Sequence, residues 1–241
     1  MRFKSCKTKI ICTIGTASAS RKIISAMAEE GMDAVRINCA YGTHKDYRKI
    51  IRYVREVEEE LGITLSVLMD LTGPKIRVGK FKKGMIHLKR GQLLSFTEHP
   101  IEGDESKVSI NLPGFSKLVF PGSRILLKDG AVELKVIGVE PPGTVVTQVV
   151  TGEEISSFNG VNLPDTPLDV PPLTDKDKSD LRFGLSEGAD WFALSFVRKE
   201  EDIEEILQIM EGDGVRKPVI AKIEKPESLK NIDKIIEKFD G

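Results

Sequence analysis

The chain has 241 residues, of which 40% are hydrophobic and 30% are charged, as in ordinary soluble globular proteins. Its 36 Lys and Arg residues nearly balance its 37 Asp and Glu residues, and both signs are interspersed. A surface for binding polyanions is therefore not indicated, and we expect no nucleic-acid partner. The apolar run at 10–14 is too short for a signal peptide or a membrane span, so we expect no membrane association.

The cysteines and histidines have none of the spacings that mark zinc sites or disulfide frameworks. They are Cys6, Cys12, Cys39, His44, His87 and His99. Reduced thiols are the simpler interpretation, and we expect a cytoplasmic location.

The first third of the chain alternates between predicted strands and helices. The pattern predicts a strand at 8–14, a helix at 20–30, a strand at 34–39, a helix from a Thr43/Asp46 capping box to Leu61, and a strand at 65–71. Strands at this spacing, with a helix between each pair, are typical of a parallel sheet in an α/β protein.

From residue 77 to 165 the pattern changes to short runs that alternate with period two. The predicted strands are 86–88, 124–128, 132–139 and 144–150, separated by turn signals and with no convincing helix. This region is interpreted as a small all-β insertion.

The αβ pattern resumes after a proline-rich linker at 164–172. Thr174 and Asp177 are expected to cap a helix, followed by a strand at 190–196, an amphipathic helix, a strand at 218–223 and a last helix. The apolar positions of the last helix are Leu229, Ile232, Ile235, Ile236 and Phe239. We therefore predict domain segments of 1–76, 77–165 and 166–241.

Polar residues fall at the carboxyl ends of the predicted strands. Asp70 and Ser195 lie at two strand ends, while Lys222 and Glu224 end a third strand and Arg36 and Asn38 end a fourth. Residues i and i+2 of a strand share a face, so each pair emerges together, about 7 Å apart along the backbone. Two such pairs suggest that the strand ends form one phosphate-binding site. The alternative is a solvated ion pair worth at most about 1 kcal/mol.

Six short motifs are spread over the whole chain. They are TKIICTIG at 8–15, VRIN at 35–38, DLTGPKIR at 70–77, GVNLP at 160–164, SFVR at 195–198 and KIE at 222–224. In this order and at this spacing, the set resembles the pyruvate kinase family. The resemblance implies a partial TIM-type (β/α) barrel of about five of eight strands, with the all-β insertion as a mobile lid. It also implies that the chain stops before the sixth strand.

The resemblance further implies phosphoryl transfer from phosphoenolpyruvate to ADP, giving pyruvate and ATP in glycolysis. Lys222 would be the catalytic and substrate-binding lysine, which stabilises charge on the phosphoryl group and the enolate oxygen. Arg36 would bind the phosphate of phosphoenolpyruvate, while Asn38 and Arg77 would contact the nucleotide phosphates. Glu224 would be a ligand of the catalytic Mg²⁺. Phosphoryl transfer needs positioned cations more than covalent chemistry, which suits these residue types.

The chain also departs from the family's pattern. Asn38 and Asp70 match the monovalent-cation position, but Ala40 replaces a serine whose hydroxyl helps to hold that ion. With Lys75 in place of a glutamate, the chain resembles the subgroup that works without K⁺, so we expect Mg²⁺ to be required and K⁺ not. Asn159 stands where many members have a nucleotide-contacting lysine.

Three functions are considered for a chain with these features. The first is pyruvate kinase, present as a fragment, a split protein or a natural short form and expected to be a homo-oligomer when complete. The second is a non-catalytic module that binds phosphoenolpyruvate or nucleotide. The third is another lyase or aldolase built on a barrel, which is disfavoured because the all-β insertion and the GVNLP segment have no role there.

Overall fold

The structure is a computed structural model in which residues 7–166 and 171–241 are described. The strands are β1 (Ile11–Thr13), β2 (Ala34–Asn38), β3 (Ser66–Leu71), β4 (Met85–His87), β5 (Leu93–Thr97), β6 (Lys107–Ser109), β7 (Arg124–Leu127), β8 (Val132–Glu140), β9 (Thr144–Thr151), β10 (Glu154–Ser156), β11 (Val161–Asn162), β12 (Trp191–Leu194) and β13 (Val219–Ala221). The α-helices are α1 (Arg21–Glu29), α2 (His44–Leu61), α3 (Phe115–Leu118), α4 (Asp175–Ser186), α5 (Glu204–Gly212), α6 (Pro226–Lys230) and α7 (Ile232–Lys238). In this part of the chain, no helix is long and apolar enough to cross a bilayer.

The chain divides into two compact units. The first combines Met1–Pro74 with Pro171–Gly241, and the second is Lys75–Val170. Part of the predicted linker at 164–172, residues 167–170, lies outside the described residues.

The first unit contains a five-stranded sheet in the order β1-β2-β3-β12-β13, and every neighbouring pair is parallel. Helices separate consecutive strands along the chain, apart from the second unit, which is inserted between β3 and α4. The predicted α/β architecture with a parallel sheet is confirmed. Parallel strands point their carboxyl ends to the same side, so the residues that follow them share one rim.

Local signals explain where two of the helices begin. Thr43 and Asp46 form the expected capping box before α2, and the backbone N–H of Thr43 donates to Asp46 Oδ2 at 2.8 Å. The same arrangement at Thr174 and Asp177 opens α4. Helix α2 ends at Leu61 and is capped by Gly62, whose φ of 60° is left-handed and therefore suits glycine.

The prediction of one continuous helix at the end of the chain is wrong. This segment consists of α6 and α7, which are interrupted at Asn231. Ile235 and Phe239 are buried, as expected, but Leu229 and Ile236 are exposed. The interruption breaks the 3.6-residue period, so a single apolar stripe cannot run along both pieces.

The second unit has its own apolar core and two sheets. A six-stranded sheet has the order β11-β7-β8-β9-β5-β6, and β10 pairs with β4. The sequence prediction missed β5, β6, β10 and β11. Strand β5 has five residues, and the other three strands have three residues or fewer. The prediction also missed α3, a four-residue helix held by the burial of Phe115 and by Glu98, which accepts the Gly114 N–H at 2.7 Å. Contacts between distant segments, absent from any local pattern, stabilise this turn.

Candidate active site at the carboxyl ends of the parallel strands

Side chains from all five strand ends form one hydrogen-bonded network in the first unit. Arg36 of β2 donates from Nη1 to Thr13 Oγ1 of β1 at 2.8 Å, and from Nε to Asp70 Oδ2 of β3 at 2.8 Å. Its Nη2 also donates to the same Asp70 oxygen. Lys222, directly after β13, donates to Asp70 Oδ1 at 3.1 Å and to Ser195 Oγ, directly after β12, at 2.8 Å. The network therefore spans the whole rim of the sheet.

Asp70 holds the two cations of this network together. Its side chain is only 3% exposed, whereas Arg36 is 32% exposed and Lys222 is 27% exposed. A buried carboxylate needs ionic or hydrogen-bonding partners, and here each oxygen has a cation. The cations keep a solvent-facing side, so they can still bind an anion.

Glu224 lies beside Lys222, as the sequence predicted, although β13 has already ended at Ala221. Its Oε1 is 3.2 Å from Lys222 Nζ, and its Oε2 accepts the backbone N–H of Phe196 at 3.1 Å.

Phe196 has a left-handed φ of 57°. Its ring approaches Gly73 so closely that a Cβ on Gly73 would lie 2.9 Å from Cδ2 of the ring. A glycine is therefore required at position 73.

Asn38 shares the face of β2 with Arg36, because Val35 and Ile37 point to the buried side. Its Oδ1 accepts the backbone N–H of Ala40 at 3.0 Å, which is a local turn contact. In the sheet register it lies beside Asp70. Its position agrees with the strand pattern, but its carbonyl oxygen is engaged by its own loop.

Arg77 belongs to the second unit. Its Nη1 donates to the Phe158 carbonyl at 2.7 Å, and its backbone N–H donates to Asn111 Oδ1 at 2.6 Å. Asn159, the residue after Phe158, accepts the Ser156 N–H at 2.7 Å through Oδ1, so the Asn159 side chain stabilises a turn.

No set of three or more His, Cys, Asp or Glu side chains within 7–166 and 171–241 is arranged to hold a metal ion. Mg²⁺ commonly binds through one or two carboxylates together with substrate phosphates and water. Glu224, 36% exposed at the rim, fits as one such ligand, whereas both oxygens of Asp70 are occupied by cations.

Two neighbouring groups have perturbed pKa values. Burial raises the pKa of the Cys39 thiol, and the Asp180 carboxylate raises it further. Burial lowers the pKa of Lys225, whose Nζ lies 5.3 Å from the centre of the Phe196 ring. Cys39 is thus a neutral, buried thiol with a packing role and is unsuited to nucleophilic chemistry.

Sequence reasoning placed Ser195 at a strand end but missed its contacts, and it missed Thr13 and the contacts of Phe196. Ser195 is the first residue after β12, as expected, and Thr13 is the last residue of β1, so the same reading of strand ends could have found Thr13. Nothing local in the sequence indicates the left-handed backbone of Phe196.

A parallel α/β sheet with charged side chains gathered at the carboxyl ends of its strands is typical of (β/α)-barrel domains. Sequence comparison identifies the family within that class. Residues 5–241 match the family model described as pyruvate kinase, barrel domain. The chain belongs to the pyruvate kinase family.

Similar proteins include those named pyruvate kinase from Corynebacterium glutamicum, with 42% identity, and from Geobacillus stearothermophilus, with 38% identity. A protein named pyruvate kinase 2 from Synechocystis is also 42% identical. Each alignment covers 98% of this chain, but only 49% of the Corynebacterium protein and 40% of each of the other two. The chain thus spans at most about half the length of these relatives.

Proposed function

We propose that this protein acts in phosphoryl transfer from phosphoenolpyruvate to ADP, giving pyruvate and ATP. The observation that carries the proposal is the placement of Arg36 and Lys222 on either side of Asp70 at the strand ends. Two fixed cations with one solvent-facing side suit a phosphate group. The names of the relatives support the reaction.

Lys222 acts as the catalytic cation in this proposal. An ammonium has three N–H donors, and here its neighbours are Asp70, Ser195 and Glu224. Asp70 and Ser195 are buried, whereas Glu224 is exposed, so an incoming phosphate oxygen replaces the Glu224 contact. Lys222 then stabilises the charge that develops on the phosphoryl group, while Arg36 holds the substrate phosphate.

Glu224 would hold Mg²⁺, which when bound neutralises phosphate charge. Asn38 and Arg77 are proposed to contact the nucleotide phosphates. We also propose that K⁺ is not required. Ala40 lacks a hydroxyl, and the Asn38 oxygen is engaged by the loop, so monovalent-cation ligands are few at Asn38 and Asp70.

We propose that 77–165 is an inserted all-β lid domain, flanked by barrel segments at 1–76 and 166–241. Its strand content supports this assignment. A cytoplasmic location and homo-oligomerisation of the complete protein are part of the same proposal.

The test is Lys222→Met in the full-length protein, assayed for phosphoenolpyruvate-dependent ATP formation. We expect kcat to fall about a hundredfold or more, because the lysine acts mainly on transition-state charge, while phosphoenolpyruvate still binds. Lys176→Met is the matched control, since Lys176 also pairs with a buried carboxylate, Asp180, at 2.6 Å. The control should retain its turnover.

A loss of less than tenfold in Lys222→Met would remove Lys222 from this role. Wild-type protein that binds phosphoenolpyruvate or nucleotide without turnover would instead establish the alternative, a non-catalytic binding module.

A further inference from the structure

Ser195 connects the end of β3 with the ammonium of Lys222. Its side chain is 2% exposed, and its Oγ lies 2.7 Å from the Leu71 carbonyl and 2.8 Å from Lys222 Nζ. These two contacts join segments that are 124 and 27 residues apart in sequence.

The proton arrangement follows from the chemistry of the groups. A carbonyl oxygen only accepts hydrogen bonds, and an ammonium only donates them. The single hydroxyl proton of Ser195 must therefore point to Leu71, and a lone pair of Oγ must face Lys222. A hydroxyl fixed in this way offers its acceptor in one direction.

Besides Ser195, the ammonium of Lys222 contacts two carboxylates, Asp70 and Glu224. The Lys222 backbone N–H donates to the Leu194 carbonyl at 3.0 Å, which fixes the base of the side chain. Beyond it runs a flexible four-carbon stem. Asp70 attracts the ammonium from one side, and the exposed Glu224 attracts it toward solvent. Ser195 is the uncharged contact that opposes this displacement.

We propose that Ser195 is a positioning residue for Lys222 in phosphoryl transfer, an inference that rests on the proposed function. By holding Nζ near Asp70, Ser195 keeps one N–H available to the transferring phosphoryl group. Without the hydroxyl, the ammonium shifts toward Glu224 and its alignment with the substrate is lost.

The first experiment measures the position of Lys222 without any need for turnover. Wild type and Ser195→Ala are treated with trace acetic anhydride, and acetylation of each lysine is quantified by peptide mass spectrometry. We expect Lys222 to be acetylated several-fold faster in Ser195→Ala, with the rate at Lys176 unchanged. Equal Lys222 rates in the two proteins would overturn the proposal.

The second experiment is a double-mutant cycle in the kinase assay. Ser195→Ala should lower kcat about ten- to a hundredfold with a smaller change in KM, because misalignment affects mainly the chemical step. In a Lys222→Met background, the same change should cost nothing more, since Ser195 acts through Lys222. An equal loss in both backgrounds would mean a merely structural role and would overturn the proposal.

Thr147→Val is the matched control for loss of a buried hydroxyl. Thr147 is fully buried in the second unit, and its Oγ1 donates to the Leu94 carbonyl at 2.6 Å. This variant should leave both Lys222 acetylation and kcat unchanged. If Ser195→Ala does not fold, Ser195→Thr, which keeps the hydroxyl, must show wild-type acetylation of Lys222. Wild type without kinase activity would refute the proposed function, while the acetylation rates would still decide whether Ser195 holds Lys222.

Discussion

Replacing Asp70 with asparagine separates the structural and electrostatic roles of the rim network. The substitution keeps the shape of the side chain and removes its charge. The Asn oxygen can still accept from Arg36, but its amide nitrogen then faces Lys222, which also donates. Lys222 loses its charged acceptor, and two cations remain without their shared counter-charge.

The stability effect follows from burial. Removing one partner of a buried ion pair commonly costs about 3–5 kcal/mol. Arg36 and Lys222 are 32% and 27% exposed and can be partly solvated after the change. We therefore expect a loss of about 3 kcal/mol in the free energy of unfolding, at the low end of that range.

Anion binding should change in the opposite direction. The site gains one net positive charge close to the bound phosphate. The attraction between two unit charges about 4 Å apart is roughly 1 kcal/mol in water and roughly 4 kcal/mol near a protein surface. With the site part-exposed, we expect inorganic phosphate to bind about tenfold more tightly, equivalent to about 1.4 kcal/mol. Turnover should fall, because Lys222 is no longer directed.

The assays are urea denaturation for stability, calorimetric titration with inorganic phosphate at low salt, and the kinase assay. The control is Asp180→Asn, since Asp180 is equally buried and also contacts two basic side chains, His44 at 2.7 Å and Lys176 at 2.6 Å. It should lose stability without any change in phosphate affinity. Weaker phosphate binding by Asp70→Asn, or unchanged stability, would refute the reasoning.

Two further predictions concern ions. Glu224→Gln should shift the Mg²⁺ dependence of the reaction to higher concentrations, because an amide keeps the shape but loses the charge that a hard cation needs; an unchanged Mg²⁺ titration would reduce Glu224 to a surface ion pair. Exchange of Na⁺ for K⁺ should leave the rate of the complete enzyme unchanged, since Ala40 and Leu71 offer no hydroxyl to a monovalent ion and Lys75 is proposed to act as a tethered cation in place of K⁺. A several-fold increase in rate with K⁺ would contradict this expectation.

Helix starts and the parallel sheet could be predicted because their signals are local. The Thr43/Asp46 and Thr174/Asp177 capping boxes satisfy backbone N–H groups within one turn, so the sequence alone determines them. The strand ends that carry Arg36, Asp70 and Lys222 were found in the same way. The interruption at Asn231 and the turn at 115–118 depend on packing against distant residues and were missed.

Only the tertiary structure decided which of these side chains meet. Asp70 and Lys222 are 152 residues apart, and they come together because β12 pairs with β3 on one side and with β13 on the other. Sheet order results from burial of apolar faces over the whole unit, which no window of the sequence contains. The sequence by itself therefore determined the residue types at the rim and their strand ends. The fold determined that Asp70 is shared by Arg36 and Lys222, and that Lys222 donates to Ser195.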